Sequence, residues 1–326
     1  MSNTLEIVKV LVSPAEKLLD TISGAVGKWW EPTQIKRLAD AKAHEIDTIS
    51  EALRANSDIP IVYNKGEITA DTTEFDSLVK RTQNRLAYQE ICKQRNIENV
   101  ANVAYSLLDG EEKVSSEPVS PEWIMRFLNS VEDISNEQMQ VLWAKILAGE
   151  VKRPNSFSLR TLDVMKNLTV REAQLFSAIA PYVLNCFGDD AKSYLDYFIP
   201  TLASEEFDLK KYGLTFANLN ALSDAGLLSS QTMLNVAITI SPNEKEYIFS
   251  NHQAIEIVNN NAEKVKLTHL AMILSSSGIE LLPIVLATSD HCPEDYLIDI
   301  IKSINSYPHL HRGNLNNVTF NLSDSY

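Results

Sequence analysis

The chain has 326 residues, 44% of them hydrophobic, and its 29 Lys plus Arg against 43 Asp plus Glu give a formal net charge of −14. That hydrophobic share excludes a chain disordered throughout, and the length has room for two domains. The acidic balance repels bulk nucleic acid and anionic lipid over most of the surface, while leaving room for a local basic site.

Cys92, Cys186 and Cys292 lie far apart and form no CxxC pair. They build neither a disulfide framework nor a zinc knuckle, so reduced thiols in a cytoplasm are expected. Glu6 and Lys9 interrupt the N-terminal apolar segment without a basic leader, so no secretory signal is read there.

Residues 3–30 form an amphipathic segment in which Leu5, Val8, Ala15, Leu18, Leu19, Ile22, Val26 and the pair Trp29-Trp30 keep close to one face. Pro14 is expected to kink or divide it. A second helix over 33–55 follows Pro32. The apolar face has two destinations: protein, from this chain or a second copy, or lipid, with the indoles at headgroup level. Glu6, Glu16 and Asp20 weigh against lipid.

Residues 58–73 lose the helical period and read as a loop or small hairpin. A long helix over 74–108 follows, with Asn96 as a candidate break, and then a polar linker over 110–120. The most regular stretch is 120–188. Ser120-Pro121, Ser135 to Gln138 and Thr169 to Glu172 mark three helix starts, the last two as capping boxes. Gly149 is expected to close the second helix and Pro154-Asn155 to turn the chain.

Thr215 to Leu228 reads as a short helix capped by Thr215 and stopped at Gly226. Residues 234–240 then alternate as a half-buried strand, Ser241-Pro242-Asn243 turns, and 246–249 and 252–259 read as returning strands. Helix, the turn Ala225-Gly226-Leu227-Leu228, then hairpin is the order of a winged helix. Lys266 to Ile273 returns to a helical reading capped by Thr268. Leu267 to Ser289 has the length of a membrane span but carries His269, Gly278, Glu280 and Pro283, which favours a buried core segment. An amphipathic helix follows Pro293, and residues 316–323 alternate as a last strand that must pair with the wing or a neighbouring chain.

Trp143 to Phe176, with Leu147-Ala148-Gly149-Glu150 and Phe157-Ser158 as its most specific part, followed by the Gly226 turn and the strands, resembles a bacterial family known only as domain of unknown function 2806. The resemblance covers roughly 75–290 and supplies no reaction and no catalytic residue. Relatives of this general kind sit among phage-defence and mobile-element genes, which implies a defence role as one expectation.

Chemistry-bearing patterns are thin. Residues 180–326 hold 8 Lys plus Arg against 17 Asp plus Glu, and 214–228 hold no base, so protein contact is favoured over DNA for the winged module. The basic residues gather instead at Lys80, Arg81, Arg85, Lys93, Arg95, Lys152 and Arg153, where a solvated helix face is the default. His291-Cys292 and His309 with His311 lack further ligands at a metal spacing. Glu244, Lys245 and Glu246 look like a nuclease set but belong to a turn. No phosphate-loop, dinucleotide, nucleophile-elbow or zincin motif occurs.

The expectation is a mainly α chain with a small β component: an N-terminal helical domain plus a C-terminal winged-helix-like α+β module. The pieces are amphipathic helices over 1–57, a loop and long helix over 58–110, a helical hub over 120–188 and the winged-helix-like module over 189–326. The expected role is a non-enzymatic, cytoplasmic scaffold or regulator that self-associates through Leu18, Leu19, Ile22, Trp29 and Trp30. No catalytic, cofactor or metal residue is assigned. The alternatives are a peripheral effector of the inner membrane acting through residues 3–30, and a metal-dependent nuclease or DNA-binding winged-helix protein.

Overall fold

The computed structural model describes residues 13–26, 61–64, 67–70, 73–109, 115–187, 194–201, 208–229, 234–251, 253–289, 291–306 and 311–324. The chain divides into two compact units, Met1–Ser156 and Phe157–Tyr326. The division falls inside the stretch 120–188 that reads as one hub in the sequence, and the polar linker lies within the first unit. The helix expected over 33–55 lies outside the described residues.

Among its described residues the first unit is helical apart from a short antiparallel hairpin of β1 (Ile61–Asn64) and β2 (Glu67–Ala70). The helices described there are α1 (Pro14–Val26), α2 (Thr73–Leu108), α3 (Pro121–Val131) and α4 (Glu137–Lys152). Of the two outcomes expected at Pro14, the structure shows the dividing one: α1 opens at it, where the first helical position needs no amide donor. Ser13 and Glu16 cap each other reciprocally there, Glu16 N–H donating to Ser13 Oγ at 3.2 Å and Ser13 N–H to Glu16 Oε2 at 3.0 Å.

Asn96 does not break α2. It is buried in a continuous helix, and its Nδ2 donates to Glu132 O at 2.8 Å, tying α2 to the end of α3. The N-cap of α4 is Asn136, whose Oδ1 accepts from Met139 N–H at 3.1 Å, rather than Ser135. Nor does Gly149 end that helix: fully buried Val151 gives the next turn a core contact, and the helix runs on to Lys152. The core is aromatic at its centre. Trp123 stacks on Phe127 at 5.2 Å between centroids, and Phe127 meets the edge of fully buried Trp143 at 5.4 Å.

The second unit begins with α5 (Leu159–Asn167) and α6 (Val170–Ile179), the latter opened by the capping box of Thr169 and Glu172. A 3-10 turn, Ala180–Tyr182, leads to β3 (Leu184–Phe187) and β4 (Tyr194–Pro200). A second such turn, Leu209–Tyr212, precedes α7 (Phe216–Asp224), whose cap is Thr215 and whose stop is Gly226 at φ 79°. Then come β5 (Leu234–Ile240), β6 (Lys245–Phe249), β7 (Gln253–Asn259) and β8 (Val265–Ile273). The unit closes with α8 (Ser276–Leu286), α9 (Glu294–Ser306), β9 (His311–Arg312) and β10 (Val318–Asp324).

One antiparallel sheet runs β10-β7-β6-β3-β4-β8-β5, with β9 pairing beside β8. The sheet corrects two expectations. Residues 265–273 form a strand, not a helix: Val265, Leu267 and Ala271 are buried at period two, and β5 pairs with them from Leu234↔Ala271 to Ile240↔Val265. The expected hairpin of β5 with β6 does not form either, since β6 pairs with β3 and β7. A short turn at 241–244 nonetheless joins β5 to β6, so the sheet curls back toward itself. Asn259 pins that region. Fully buried, its Nδ2 donates to Ile240 O, Ser241 O and Glu263 O at 3.0, 3.2 and 2.9 Å. The last strand finds its partner in β7, from Val318↔Asn259 to Asp324↔Gln253.

Leu267 to Ser289 becomes the later part of β8 and α8, which buries Leu281, Leu282 and Val285 on one face, and among the described residues no helix is long and apolar enough to cross a membrane. The start of α8 sits so close to the Gly226 turn that a Cβ on Gly278 would lie 2.1 Å from Leu227 O, which only glycine avoids.

Candidate functional site

Three of the expected docking residues, Leu18, Leu19 and Ile22, lie on α1. Leu18 and Ile22 are each 1% exposed, and α1 packs on α2, α3 and α4 within its own unit. Between them Lys17 reaches inward, its Nζ donating to Ser115 O and Val151 O at 2.8 Å each. The ammonium thereby caps the carbonyl end of α4, where the helix dipole favours a cation. Burial depresses the pKa of Lys17, against the pull of Glu117 and Glu150. Leu18 and Ile22 are therefore spent on internal packing, and any contact of α1 with lipid or another chain falls to its outer side. Leu19 faces that way, 38% exposed, and Trp29 and Trp30 lie outside the described residues.

The motif around Gly149-Glu150 shapes a loop. Glu150 is 1% exposed, and its carboxylate accepts from Asn155 N–H at 2.7 Å and Ser156 N–H at 3.0 Å. Asn155 takes a left-handed backbone at φ 67° and donates from Nδ2 to Glu117 Oε1 at 3.1 Å. In the second unit Ser158 caps α5, and Glu280 reinforces that cap from α8. Its Oε2 accepts from Ser158 N–H and Thr161 Oγ1, each at 2.6 Å. Both carboxylates are engaged by donors of the fold, which makes them clamps rather than acids or bases poised for a substrate.

A different surface lies on α2. Its later part carries the core residues Ile97, Val100, Ala101, Ala104 and Leu108. Over 76–95 the same helix has no buried residue, and it exposes Leu78, Tyr88 and Ile91 at 52%, 69% and 60%. The basic residues are interleaved there and partly engaged: Arg81 Nη1 donates to Ser77 Oγ at 2.7 Å, and Lys93 Nζ lies 2.7 Å from Glu132 Oε1. Helical period alone finds this helix and does not separate its covered part from its uncovered part; exposure is the signal it lacks.

The densest group of titratable side chains is in the second unit. The rings of Tyr182, Tyr212 and Tyr296 pack with centroids 5.5, 5.0 and 5.0 Å apart. Tyr296 Oη donates to Tyr182 O at 2.9 Å and Tyr212 Oη to Asp299 Oδ2 at 2.6 Å, while Lys211 Nζ lies 3.2 Å from the same oxygen. Burial, with the Asp299 hydrogen bond, pushes Tyr212 up to about 12. At Asp299 burial acts upward but is outweighed by Tyr212 and Lys211, which hold the carboxyl below its ordinary value. The phenol is protonated, and its bond to Asp299 fastens the Leu209–Tyr212 turn to α9.

The thiols of Cys186 and Cys292 are buried and pushed up to about 12, far from a reactive thiolate. Among the described residues no group of His, Cys, Asp and Glu is placed to hold a metal ion. Lys245 pairs with Glu256 at 3.1 Å, and Tyr247 Oη donates to the same carboxylate at 2.9 Å, so the nuclease-like trio is divided by cross-strand pairing. An apolar cavity lined by Phe198, Ile238, Ile248 and Ile300 admits about one water molecule.

Fold and surface together define a mainly helical α+β protein, helical in the first unit and built on an antiparallel sheet in the second. The chain belongs to the family described as a protein of unknown function, DUF2806, whose model matches residues 80–298. No curated protein and no solved structure matches it significantly.

Proposed function

We propose that the protein works through protein contacts, as a self-associating scaffold or regulator. The observation that carries this reading is the 76–95 part of α2, which buries no residue and exposes Leu78, Tyr88 and Ile91. Isolated helices of that length are marginal in water, and a helix face that leaves a Leu, a Tyr and an Ile exposed gains by being covered. A second copy is the partner the reading commits to. Within it, the winged-helix-like order of the second unit, α7 and the Gly226 turn followed by the strands from β5 onward, serves protein rather than DNA. Residues 214–228 carry no Lys or Arg, and Phe216 on α7 is 62% exposed.

The test is the mass of the full-length chain by light scattering. The scaffold reading expects a multiple of 36.5 kDa and a smaller particle when Tyr88 and Ile91 are both changed to Asp. An unchanged mass in that variant would overturn the role given to α2.

A further inference from the structure

The outer edge of β10 is the second feature that asks for a partner, and it is independent of α2. β10 ends the sheet order, and among the described residues no strand lies beyond it. The hydrogen-bond phase of this edge follows from the flanking pair, in which Asn260 N–H donates to Asn317 O at 3.0 Å. In an antiparallel ladder the inward and outward backbone groups alternate. Residue 317 faces β7, so 319, 321 and 323 do as well, and the amides and carbonyls of Phe320, Leu322 and Asp324 point away from the sheet. Val318 adds only its carbonyl, because its N–H already donates to Leu315 O at 2.9 Å.

Edges of this kind are ordinarily guarded by proline, lysine or a bulge. β10 has none of these: its pairing with β7 is an unbroken register of Val318 to Asp324, and no Asp, Glu, Lys, Arg or Pro occurs between Arg312 and Asp324. On a chain of net charge −14, an uncharged strand is where two copies approach with least repulsion.

We infer that the β10 edge pairs antiparallel with the β10 of a second copy, joining two sheets across a two-fold axis at Asn321. That register places Phe320 opposite Leu322 of the other copy, so each pair exchanges both of its backbone bonds. It also sets Val318 opposite Asp324, so the lone outward carbonyl of Val318 receives the Asp324 N–H. Apolar Phe320 and Leu322 meet each other, and the two Asn321 amides face one another. No like charges are opposed.

The experiment is light scattering on the full-length chain over a concentration series, with three variants. Leu322→Pro removes an outward amide while leaving the inward ladder to β7 intact, and is expected to halve the particle mass. Leu322→Ala keeps the amide and is expected to keep the mass. Asn321→Lys sets two ammonium groups opposite each other at the axis, keeps the inward face with Glu256 as a neighbour, and is expected to halve the mass as Leu322→Pro does. This second route keeps the test alive if the proline variant does not fold. A wild-type mass of 36.5 kDa throughout, or wild-type mass in Asn321→Lys, overturns the inference. A mass that falls with the α2 variant but not with the β10 variants sinks this inference alone; the reverse pattern sinks only the role of α2.

Discussion

In the first unit, helix ends are tied down by charged side chains that reach backbone groups: Lys17 to two carbonyls, Glu150 to two amides. In the second, strand turns are tied down by a buried neutral amide, Asn259, which meets three carbonyls at once. The first arrangement leaves much of a long helix uncovered, because helix ladders satisfy themselves and need no neighbour. The second leaves the outer edge of β10 without a strand partner among the described residues, because a sheet that is not fully closed ends in unpaired groups. The contrast teaches where each unit has something to offer a partner: apolar side chains in one, backbone donors and acceptors in the other.

The comparison can be broken most severely at the aromatic centre of the first unit. Trp143→Ala is expected to cost about 3–5 kcal/mol, read by urea unfolding, with hydrogen exchange rising across α2, α3 and α4. Next is Asn259→Ala, which takes the amide donor from three carbonyls at the β5–β6 and β7–β8 turns, of which Ser241 O keeps the Glu244 N–H at 3.2 Å. About 3 kcal/mol is expected, with exchange rising first in β5 and β7. Glu150→Ala leaves two loop amides unpaired, and a loss of about 2 kcal/mol should appear together with faster cleavage at 153–156 by an added protease.

A smaller effect carries a pH signature. Thr169 donates to Glu172 from both hydroxyl and backbone, holding that carboxyl below its ordinary 4.5. A depressed folded pKa stabilises above the unfolded value, and the gain disappears as pH falls through the folded one. Glu172→Gln is therefore expected to lower Tm slightly at pH 7, by the equivalent of about 0.5 kcal/mol, with the gap closing as pH falls below the ordinary carboxylate value. The smallest change is expected from Leu78→Ser, within about 0.5 kcal/mol, since that side chain is half exposed. A large loss there would mean that α2 is covered in the single chain, and the contrast between the units would blur.

Much of this architecture is legible in the residues. Thr169 with Glu172 and Thr215 with Gly226 announce helix limits correctly because caps are local: the donors and acceptors lie within one turn of each other. The alternation in 234–240 and 318–322 likewise reports strands, since burial on one face imposes period two. The same signals mislead where a distant element decides. Thr268 looks like a cap until β5 pairs with the segment around it, and Asn96 looks like a breaker until the Glu132 carbonyl needs its amide. The candidate surfaces divide in the same way. The amphipathic face of α1 is visible in the sequence, but that Leu18 and Ile22 are already covered, while Leu78, Tyr88 and Ile91 are not, is a statement about neighbours.

The sequence by itself determined the helix starts, the period of each strand, the absence of familiar catalytic motifs and the scarcity of positive charge in the later part of the chain. Only the tertiary structure decided which strands pair, which apolar faces are covered and which strand edge stays open. The reason is physical: caps and periodicities depend on groups a few residues apart, whereas pairing and burial depend on groups far apart in the chain that meet only once it has folded.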